Sequence, residues 1–217
     1  MADLRQQLID SARCMQAVGL NRGTAGNLSV RVEDGGAGAG GDFLITPTGM
    51  AYDSLLTADI VHMHRDGSCQ GHRRPSSEWR FHRDLYAARA DAGAILHAHS
   101  PFATSIACLR RDIPPFHYMI ARFGGDSVRC AAYATFGTQA LSDAVLLAIV
   151  NRRACLLANH GMLVLGKDLQ QAIDLGIELE TLCEQYWRAC QLGQPVLLDA
   201  AEMATVLDKF ASYGQQP

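Results

Sequence analysis

Two histidines at the end of an apolar segment have the side chains and the spacing for metal chemistry. His97 and His99 lie two residues apart, directly after Ala94-Ile95-Leu96. If this segment forms a β-strand, both imidazoles point to the same face of the sheet. Catalytic zinc commonly has three protein ligands and one open position. His160, which ends another apolar segment before Gly161, is the best candidate for the third ligand.

The spacing of these histidines leaves two alternatives open. Each histidine could be a hydrogen-bonded residue of the core, because histidine is often partly buried. The segment His62-Met63-His64 has the same H-x-H spacing, with Cys69 and His72 nearby, and could suggest a small zinc site. This segment runs into a polar turn and lacks a second clear ligand pair, so we do not expect it to bind a metal.

A second group of candidate residues lies at the predicted start of a helix. Ser76 and Ser77 are suitable N-cap residues, and Glu78 would follow in the first turn. Unpaired N–H groups and the helix dipole favour an anion at this position. A phosphate bound there would place Glu78 close to the rest of the ligand, where a carboxylate could act as a general acid or base, or contact a metal. An ordinary capped helix is the alternative.

Two loops combine glycine with small polar side chains. Gly26-Asn27 and Thr48-Gly49 could bind phosphate through backbone N–H groups and side chains without a lysine. Either could also be a simple turn. The glycine-rich stretch 35–41 lies between two predicted strands and is not followed by a helix, so we interpret it as a flexible hairpin connection rather than a nucleotide-binding loop.

Hydrophobic periodicity indicates which elements position these residues. Strands are predicted at 28–32, 42–45, 60–64, 94–99 and 154–158, the last continuing through 162–165; helices are predicted at 3–18, 76–89, 102–108 and 139–150, from Asp168, and from about 199 to 213–214. Strands and helices alternate without a regular βαβ repeat. We therefore predict an α/β fold, with helices on a central, mainly antiparallel sheet, and one domain over residues 1–217.

The composition excludes several classes of protein. The chain has 217 residues, 48% of them hydrophobic, and a formal net charge of −3, which gives no basic signature for nucleic-acid binding. Seven scattered cysteines fit reduced thiols of a cytoplasmic protein better than a disulfide framework. We see neither a signal peptide nor an apolar run long enough to span a membrane.

The order of several motifs resembles the class II aldolase/adducin-head superfamily over nearly the whole chain. The matching segments are Gly23-Thr24-Ala25-Gly26-Asn27-Leu28-Ser29, Ile45-Thr46-Pro47-Thr48-Gly49, Pro75-Ser76-Ser77-Glu78, His97-Ala98-His99 and His160-Gly161. Longer matches are similar to the L-fuculose-1-phosphate aldolase branch rather than to the epimerase or adducin branches; they cover 76–82, 117–120, 133–138 and 207–214. The glycine-rich stretch and the His62/His64 pair depart from the family pattern.

The resemblance implies a three-layer α/β/α fold and a homotetramer with active sites between subunits. It implies that His97, His99 and His160 bind Zn²⁺, or another divalent metal. It assigns Glu78 as the catalytic acid/base, which can also bind the metal when substrate is absent. Phosphate-binding positions are implied at Asn27, Thr48, Gly49, Ser76 and Ser77. Catalytic tyrosines are implied at Tyr118 and Tyr213, each expected from a neighbouring subunit, with Tyr213 on a mobile C-terminal tail.

The implied reaction is the reversible cleavage of a ketose 1-phosphate to dihydroxyacetone phosphate and an aldehyde. The substrate would be fuculose 1-phosphate or a 5-deoxypentulose 1-phosphate such as 5-deoxyribulose or 5-methylthioribulose 1-phosphate. Two alternatives use the same scaffold: 4-epimerisation of a pentulose 5-phosphate and dehydration of methylthioribulose 1-phosphate. A non-catalytic interaction domain like the adducin head is a third, which the retained histidines and Glu78 disfavour.

Overall fold

A single mixed sheet, covered by helices on both faces, forms the centre of the protein. The computed structural model describes residues 2–32 and 41–212, so Tyr213 and most of the 35–41 stretch lie outside the described residues. The helices are α1 (Ala2–Ala17), α2 (Trp79–Ala88), α3 (Pro101–Ala107), α4 (Gln139–Ala148), α5 (Leu169–Leu192) and α6 (Ala200–Ser212). The strands are β1 (Asn27–Arg31), β2 (Phe43–Ile45), β3 (Val61–Met63), β4 (Cys69–Gln70), β5 (Ala94–Ala98), β6 (Arg129–Ala131), β7 (Ala154–Leu157) and β8 (Gly161–Gly166).

The strand order across the sheet is β4-β3-β2-β1-β5-β8-β7-β6. Every neighbouring pair is antiparallel except β6 and β7, which are parallel. The predicted α/β fold with a mainly antiparallel sheet is confirmed. Short 3₁₀ helices lie at Tyr52–Ser54, Thr57–Asp59 and Tyr118–Phe123.

Alternating side chains of the central strands form two separate apolar layers. In β5, Leu96 packs with the larger core cluster, which includes residues of α1, α3 and α5. Ile95, its neighbour, packs with the second cluster, which includes residues of α2 and α4. This alternation follows from the two-residue period of a strand. It places His97 on the α2 side of the sheet, where its ring packs edge-on against Phe81 at 5.6 Å.

Two predicted elements differ from the structure. The helix expected from Ser76 begins only at Trp79. Residues 74–76 are extended instead, because the Thr48 N–H donates to the Arg74 carbonyl and the Ser76 N–H donates to the Thr46 carbonyl, each at 3.1 Å. This pairing holds residues 74–76 beside residues 46–48, so the helix begins only after them.

The apolar run from 154 to 165 is not one strand but a hairpin. β7 and β8 pair as antiparallel strands and are joined by a tight turn at 158–160. Asn159 adopts a left-handed conformation there, with a φ of 53°. Asparagine tolerates that conformation better than most residues, which explains how the chain reverses without a glycine at this position.

The two helices predicted from Asp168 and from about 199 each begin with an aspartate that caps the first turn. The Asp168 side chain accepts a hydrogen bond from the Gln171 N–H at 2.7 Å, and the Asp199 side chain accepts one from the Glu202 N–H at 2.8 Å. Among the described residues, no helix combines the length and the apolar character that a bilayer crossing requires.

Candidate active site

Three histidines and one glutamate converge at the ends of neighbouring strands. His97 lies in β5, His99 follows it, and His160 immediately precedes β8, which pairs with β5. The three imidazole centroids lie 4.8 Å from one another, with the rings at steep angles to each other. The sheet register therefore brings together the three histidines that the sequence predicts.

Glu78 completes the cluster from the turn before α2. Its Oε2 lies 3.1 Å from His97 Nε2, and its Oε1 lies 3.3 Å from His160 Nε2. The Nε2 atoms of His97 and His99 are 3.0 Å apart. Glu78 is 6% exposed, and its Oε1 has no hydrogen-bond partner. Four ligand-type atoms directed at one point, with one buried oxygen unpartnered, fit a site for a divalent metal ion.

The protonation of two of the three histidines also suits metal binding, whereas Glu78 outweighs burial and raises the pKa of His97. His97 Nδ1 donates to the Met162 carbonyl at 2.9 Å, which fixes the tautomer and leaves Nε2 directed at the cluster. Burial lowers the pKa of His99 to about 4, and His97 and His160 add to that effect. Burial and His97 lower the pKa of His160 to about 4. Both rings are therefore neutral near pH 7, which is the form that binds a metal.

The charge state of Glu78 depends on these neighbours. Burial alone would raise the pKa of its carboxyl group. His97, followed by His160 and His99, outweighs burial and lowers that pKa to about 2. The carboxylate is thus ionised near pH 7, as a metal ligand or a proton acceptor must be.

A chain of buried polar side chains lies behind Glu78. Asn27 Nδ2 donates to Glu78 Oε2 at 3.1 Å, and Asn27 Oδ1 accepts from His82 Nε2 at 2.6 Å. His82 is fully buried, and burial lowers its pKa to about 3, so the ring is neutral. With its proton on Nε2, the ring accepts from Ser29 Oγ through Nδ1 at 2.7 Å. Tyr86 lies 2.8 Å from Ser29 Oγ and is the remaining donor.

This chain of hydrogen bonds has one consistent direction, from Tyr86 through Ser29, His82 and Asn27 to Glu78. It fixes which end of the Asn27 amide faces the carboxylate. Sequence reasoning missed His82, Ser29 and Tyr86 as parts of the site. The alternation Asn27, Ser29 in β1 and the spacing of four between His82 and Tyr86 in α2 were the available signals, because they place each pair on one face.

The cluster opens onto a cavity of about 370 Å³. The predicted phosphate-binding residues all line this cavity, namely Asn27, Thr48, Gly49, Ser76 and Ser77. Pairing of residues 46–48 with 74–76 places the two loops side by side. The described lining residues include neither lysine nor arginine. Hydroxyl, side-chain amide and backbone N–H groups are thus among the donors that this lining offers to an anion.

The other predicted residues lie elsewhere. Tyr118 is about half exposed and stacks on Phe210 at 6.4 Å, beside a second cavity whose lining does not include His97, His99 or His160. The chain itself therefore does not bring Tyr118 to the cluster of Glu78 and the three histidines. Exposed Tyr133 and Phe136, which were not predicted as site residues, line the outer wall of the first cavity. Of the His62/His64 pair, His62 lies in a different strand, β3, and His64 directly follows that strand.

Glu180 of α5 holds the chain just after His99. Its carboxylate accepts hydrogen bonds from Ser100 Oγ at 2.6 Å and from the N–H groups of Phe102 and Ala103 at 2.8 and 2.9 Å. A carboxylate at a helix N-terminus satisfies otherwise unpaired donors. α5 thereby anchors the end of the strand that carries both histidines.

Comparisons with known proteins agree with this geometry. The family described as Class II Aldolase and Adducin N-terminal domain matches residues 6–187. The chain is 53% identical to the 5-methylthioribulose-1-phosphate/5-deoxyribulose-1-phosphate aldolase of Rhodospirillum rubrum, over 97% of this chain and 92% of that protein. It is 45% identical to the L-fuculose phosphate aldolase of Escherichia coli K12, over 97% and 95% of the two chains.

A solved structure of an L-fuculose 1-phosphate aldolase also superimposes closely on this chain. The TM-score is 0.92 at 40% sequence identity, and the match covers 97% of each chain. Family match, sequence identity and fold agree over almost the full length. The chain therefore belongs to the class II aldolase/adducin family, and within it to the aldolases.

Proposed function

We propose that this class II aldolase cleaves a 5-deoxypentulose 1-phosphate, such as 5-deoxyribulose or 5-methylthioribulose 1-phosphate, in preference to fuculose 1-phosphate. The products would be dihydroxyacetone phosphate and acetaldehyde or a methylthio-substituted aldehyde. The observation that carries the proposal is the Glu78–His cluster at the base of a cavity lined by small polar loops. The higher identity to the Rhodospirillum protein, 53% against 45%, supports the choice of substrate.

His97, His99 and His160 would hold the metal, with Glu78 as a fourth ligand before substrate binds; we propose Zn²⁺. A bound divalent ion supplies Lewis-acid stabilisation of the negative charge that develops as the C3–C4 bond breaks. One ring nitrogen of each imidazole already lies within 4.8 Å of the others. Little reorganisation would thus be needed to bind the ion.

Glu78 would move a proton at substrate C3, the carbon that becomes nucleophilic. Its carboxylate lies at the cavity wall, and Asn27 orients one of its oxygens. The amide nitrogen of Asn27 carries a second hydrogen, which is available for the substrate phosphate. A proton acceptor held in one orientation beside the reacting carbon avoids reorganisation during the reaction.

The phosphate would lie against Thr48, Gly49, Ser76 and Ser77. Thr48 and Ser77 are exposed to the cavity, so their hydroxyl groups are accessible to a ligand. Ser76 is buried, and its Oγ accepts from the Glu78 N–H at 3.3 Å, which ties the phosphate loop to the acid/base residue. Binding energy from the phosphate can thereby position the reacting carbon beside Glu78.

We further propose that a neighbouring subunit of a homotetramer supplies Tyr118, and that Tyr213 reaches the site from the C-terminal end. The position of Tyr118, beside the second cavity rather than the histidines, supports this arrangement. Either hydroxyl would serve the oxygen on the aldehyde side. Light scattering would test the assembly, and a monomer with full activity would contradict it. That residues 1–217 form a single domain stays a prediction.

A coupled assay for dihydroxyacetone phosphate tests the proposed function. The purified protein is incubated with 5-deoxyribulose, 5-methylthioribulose and fuculose 1-phosphates, with and without a chelator, followed by Zn²⁺. We expect cleavage that the chelator abolishes and Zn²⁺ restores, with the highest kcat/KM for a 5-deoxypentulose. Chelator-insensitive cleavage would contradict the metal assignment, and a higher kcat/KM for fuculose 1-phosphate would contradict the substrate assignment.

A further inference from the structure

The structure assigns a second divalent-metal site, formed by Asp42, His62 and His64, on the face of the sheet opposite the candidate active site. His62 lies in β3 and His64 follows that strand, while Asp42 directly precedes β2, which pairs with β3. Their ligand atoms all lie within 4.8 Å of one another. Sequence spacing had offered Cys69 and His72 as partners of this pair, and the structure supplies Asp42 instead.

The sheet register creates this arrangement. Leu44 pairs with His62, so continuing the antiparallel register places Asp42 opposite His64. Side chains two apart on one strand share a face, so both imidazoles and the carboxylate project on the same side. Leu44 packs in the larger apolar cluster, whereas its neighbour Phe43 packs in the one beneath α2. The three ligands therefore project away from the face that carries His97.

Both histidine nitrogens are directed at a single carboxylate oxygen. Asp42 Oδ2 lies 2.7 Å from His64 Nδ1 and 3.3 Å from His62 Nε2. The ring centroids of His62 and His64 are 4.8 Å apart, the same separation as for His97 and His99. His62 Nε2 is buried and makes no hydrogen bond. Buried ring nitrogens without a partner are uncommon and need an explanation, which a metal ion would provide.

The distances from Asp42 to the two histidines are close to those of a tetrahedral metal site. With ligand bonds of about 2.1 Å, adjacent ligands of a tetrahedral zinc lie about 3.4 Å apart. The separation of Asp42 and His62 already meets this value, and the hydrogen-bonded Asp42–His64 pair would open by a few tenths of an ångström. Asp42 Oδ1 accepts from the Arg65 N–H at 3.1 Å, so the carboxylate is held in place through its other oxygen.

Three protein ligands leave a fourth position for water. The side chains of His62, His64 and Asp42 are 15%, 31% and 22% exposed, which gives an ion access from solvent. Two imidazoles and one carboxylate favour Zn²⁺ or a similar transition-metal ion over Mg²⁺ or Ca²⁺, which prefer oxygen ligands. A bound ion would connect β2 to β3 at the edge region of the sheet.

Metal stoichiometry is the primary test. The whole protein is stripped with a chelator, equilibrated with Zn²⁺ alone, and analysed for zinc per chain by mass spectrometry. We expect two equivalents in the wild type and one in the variant H62Q/H64Q, which should keep wild-type aldolase activity. The matched control is H72Q: His72 is an exposed histidine of the same region that contacts Asp59, and this variant should retain two equivalents.

A complementary variant separates the two sites. In H97Q/H99Q the aldolase activity should be lost while one equivalent of zinc remains, and Zn²⁺ should still raise the melting temperature. Adding D42N or H62Q to that background should remove both the remaining zinc and the shift in melting temperature. One equivalent in the wild type at saturating Zn²⁺, or two in H62Q/H64Q, would overturn the proposal. The wild-type count decides even if a variant fails to fold.

Discussion

Replacing His82 with leucine should impair catalysis although His82 touches neither the cavity nor the histidine cluster directly. His82 donates to Asn27 Oδ1, and Asn27 in turn donates to Glu78. Leucine removes that donor and leaves a buried carbonyl oxygen unpaired. The Asn27 amide then loses the contact that fixes its orientation, so its nitrogen no longer holds the Glu78 carboxylate in one position.

The size of the effect follows from the lost hydrogen bond. Leaving one buried polar atom unpaired costs about 1–3 kcal/mol, which is also the energy that now fixes the orientation of the amide. Because about 1.4 kcal/mol corresponds to a tenfold change in rate, we expect kcat/KM to fall by about 5- to 150-fold. The loss should lie mainly in kcat, since the phosphate-binding loops are unchanged.

The conservative variant H82Q is the matched control. The glutamine amide can place a donor near the former Nε2 position, so it should recover much of the lost kcat. Initial rates of dihydroxyacetone phosphate formation and zinc content are measured for the wild type and both variants. A kcat/KM for H82L within twofold of wild type would refute the reasoning. Equal losses in H82L and H82Q, or loss of zinc in H82L, would show that His82 acts by packing.

Four further predictions concern the site and its supports. E78Q should keep the three histidine ligands but lower kcat by about 10²- to 10⁴-fold, the usual contribution of a general acid/base; unchanged turnover in the coupled assay would remove Glu78 from that role. S77A should raise KM about tenfold with kcat nearly constant, because one hydroxyl contact of about 1–1.5 kcal/mol is lost; an unchanged KM would refute the phosphate assignment. Acid should destabilise the wild type more than H82Q. The His82 pKa is about 3 in the folded chain against 6.5 for the free side chain, so the contribution of neutral His82 to the free energy of unfolding is complete above pH 6.5 and is lost as pH falls. At pH 5 the difference should reach roughly 2 kcal/mol in metal-free urea titrations, and parallel pH curves would contradict it. G161A should lower the free energy of unfolding by about 1–3 kcal/mol and weaken zinc binding. The reason is that a Cβ would lie 2.4 Å from the Ala98 carbonyl oxygen and 3.0 Å from His99 Cδ2. Unchanged zinc affinity would show that the strands accommodate the Cβ without moving His99.

The parts of the fold and site that follow from sequence periodicity could be predicted. The two-residue period of a strand places His97 and His99 on one face, whichever segments pack around that strand. The strand pairing that adds His160, and the turn that brings Glu78, depend on contacts between distant segments. Residue types and spacing made His160 and Glu78 candidates but left alternatives open, and the resemblance to a known family chose between those alternatives.

The wrong predictions have local causes. Ser76 and Ser77 have a strong N-cap pattern, but the pairing of residues 74–76 with 46–48 outweighed that local preference. The turn at Asn159 was missed because the apolar residues on both sides read as one segment. The buried donor chain through His82 was missed because a histidine within an amphipathic helix gives no sign of which partner it will meet.

Positions around the cavity of the candidate active site differ in the substitutions that they can accept. Two glycines directly follow lining residues and leave no room for a side chain: a Cβ on Gly161 would meet the Ala98 carbonyl oxygen at 2.4 Å, and one on Gly137 would meet the Ser77 carbonyl oxygen at 2.8 Å. On the outer side, Tyr133 and Phe136 project from a loop with more than half of each side chain exposed. A mutant library that aims at new aldehydes should therefore vary positions 133 and 136 and keep both glycines.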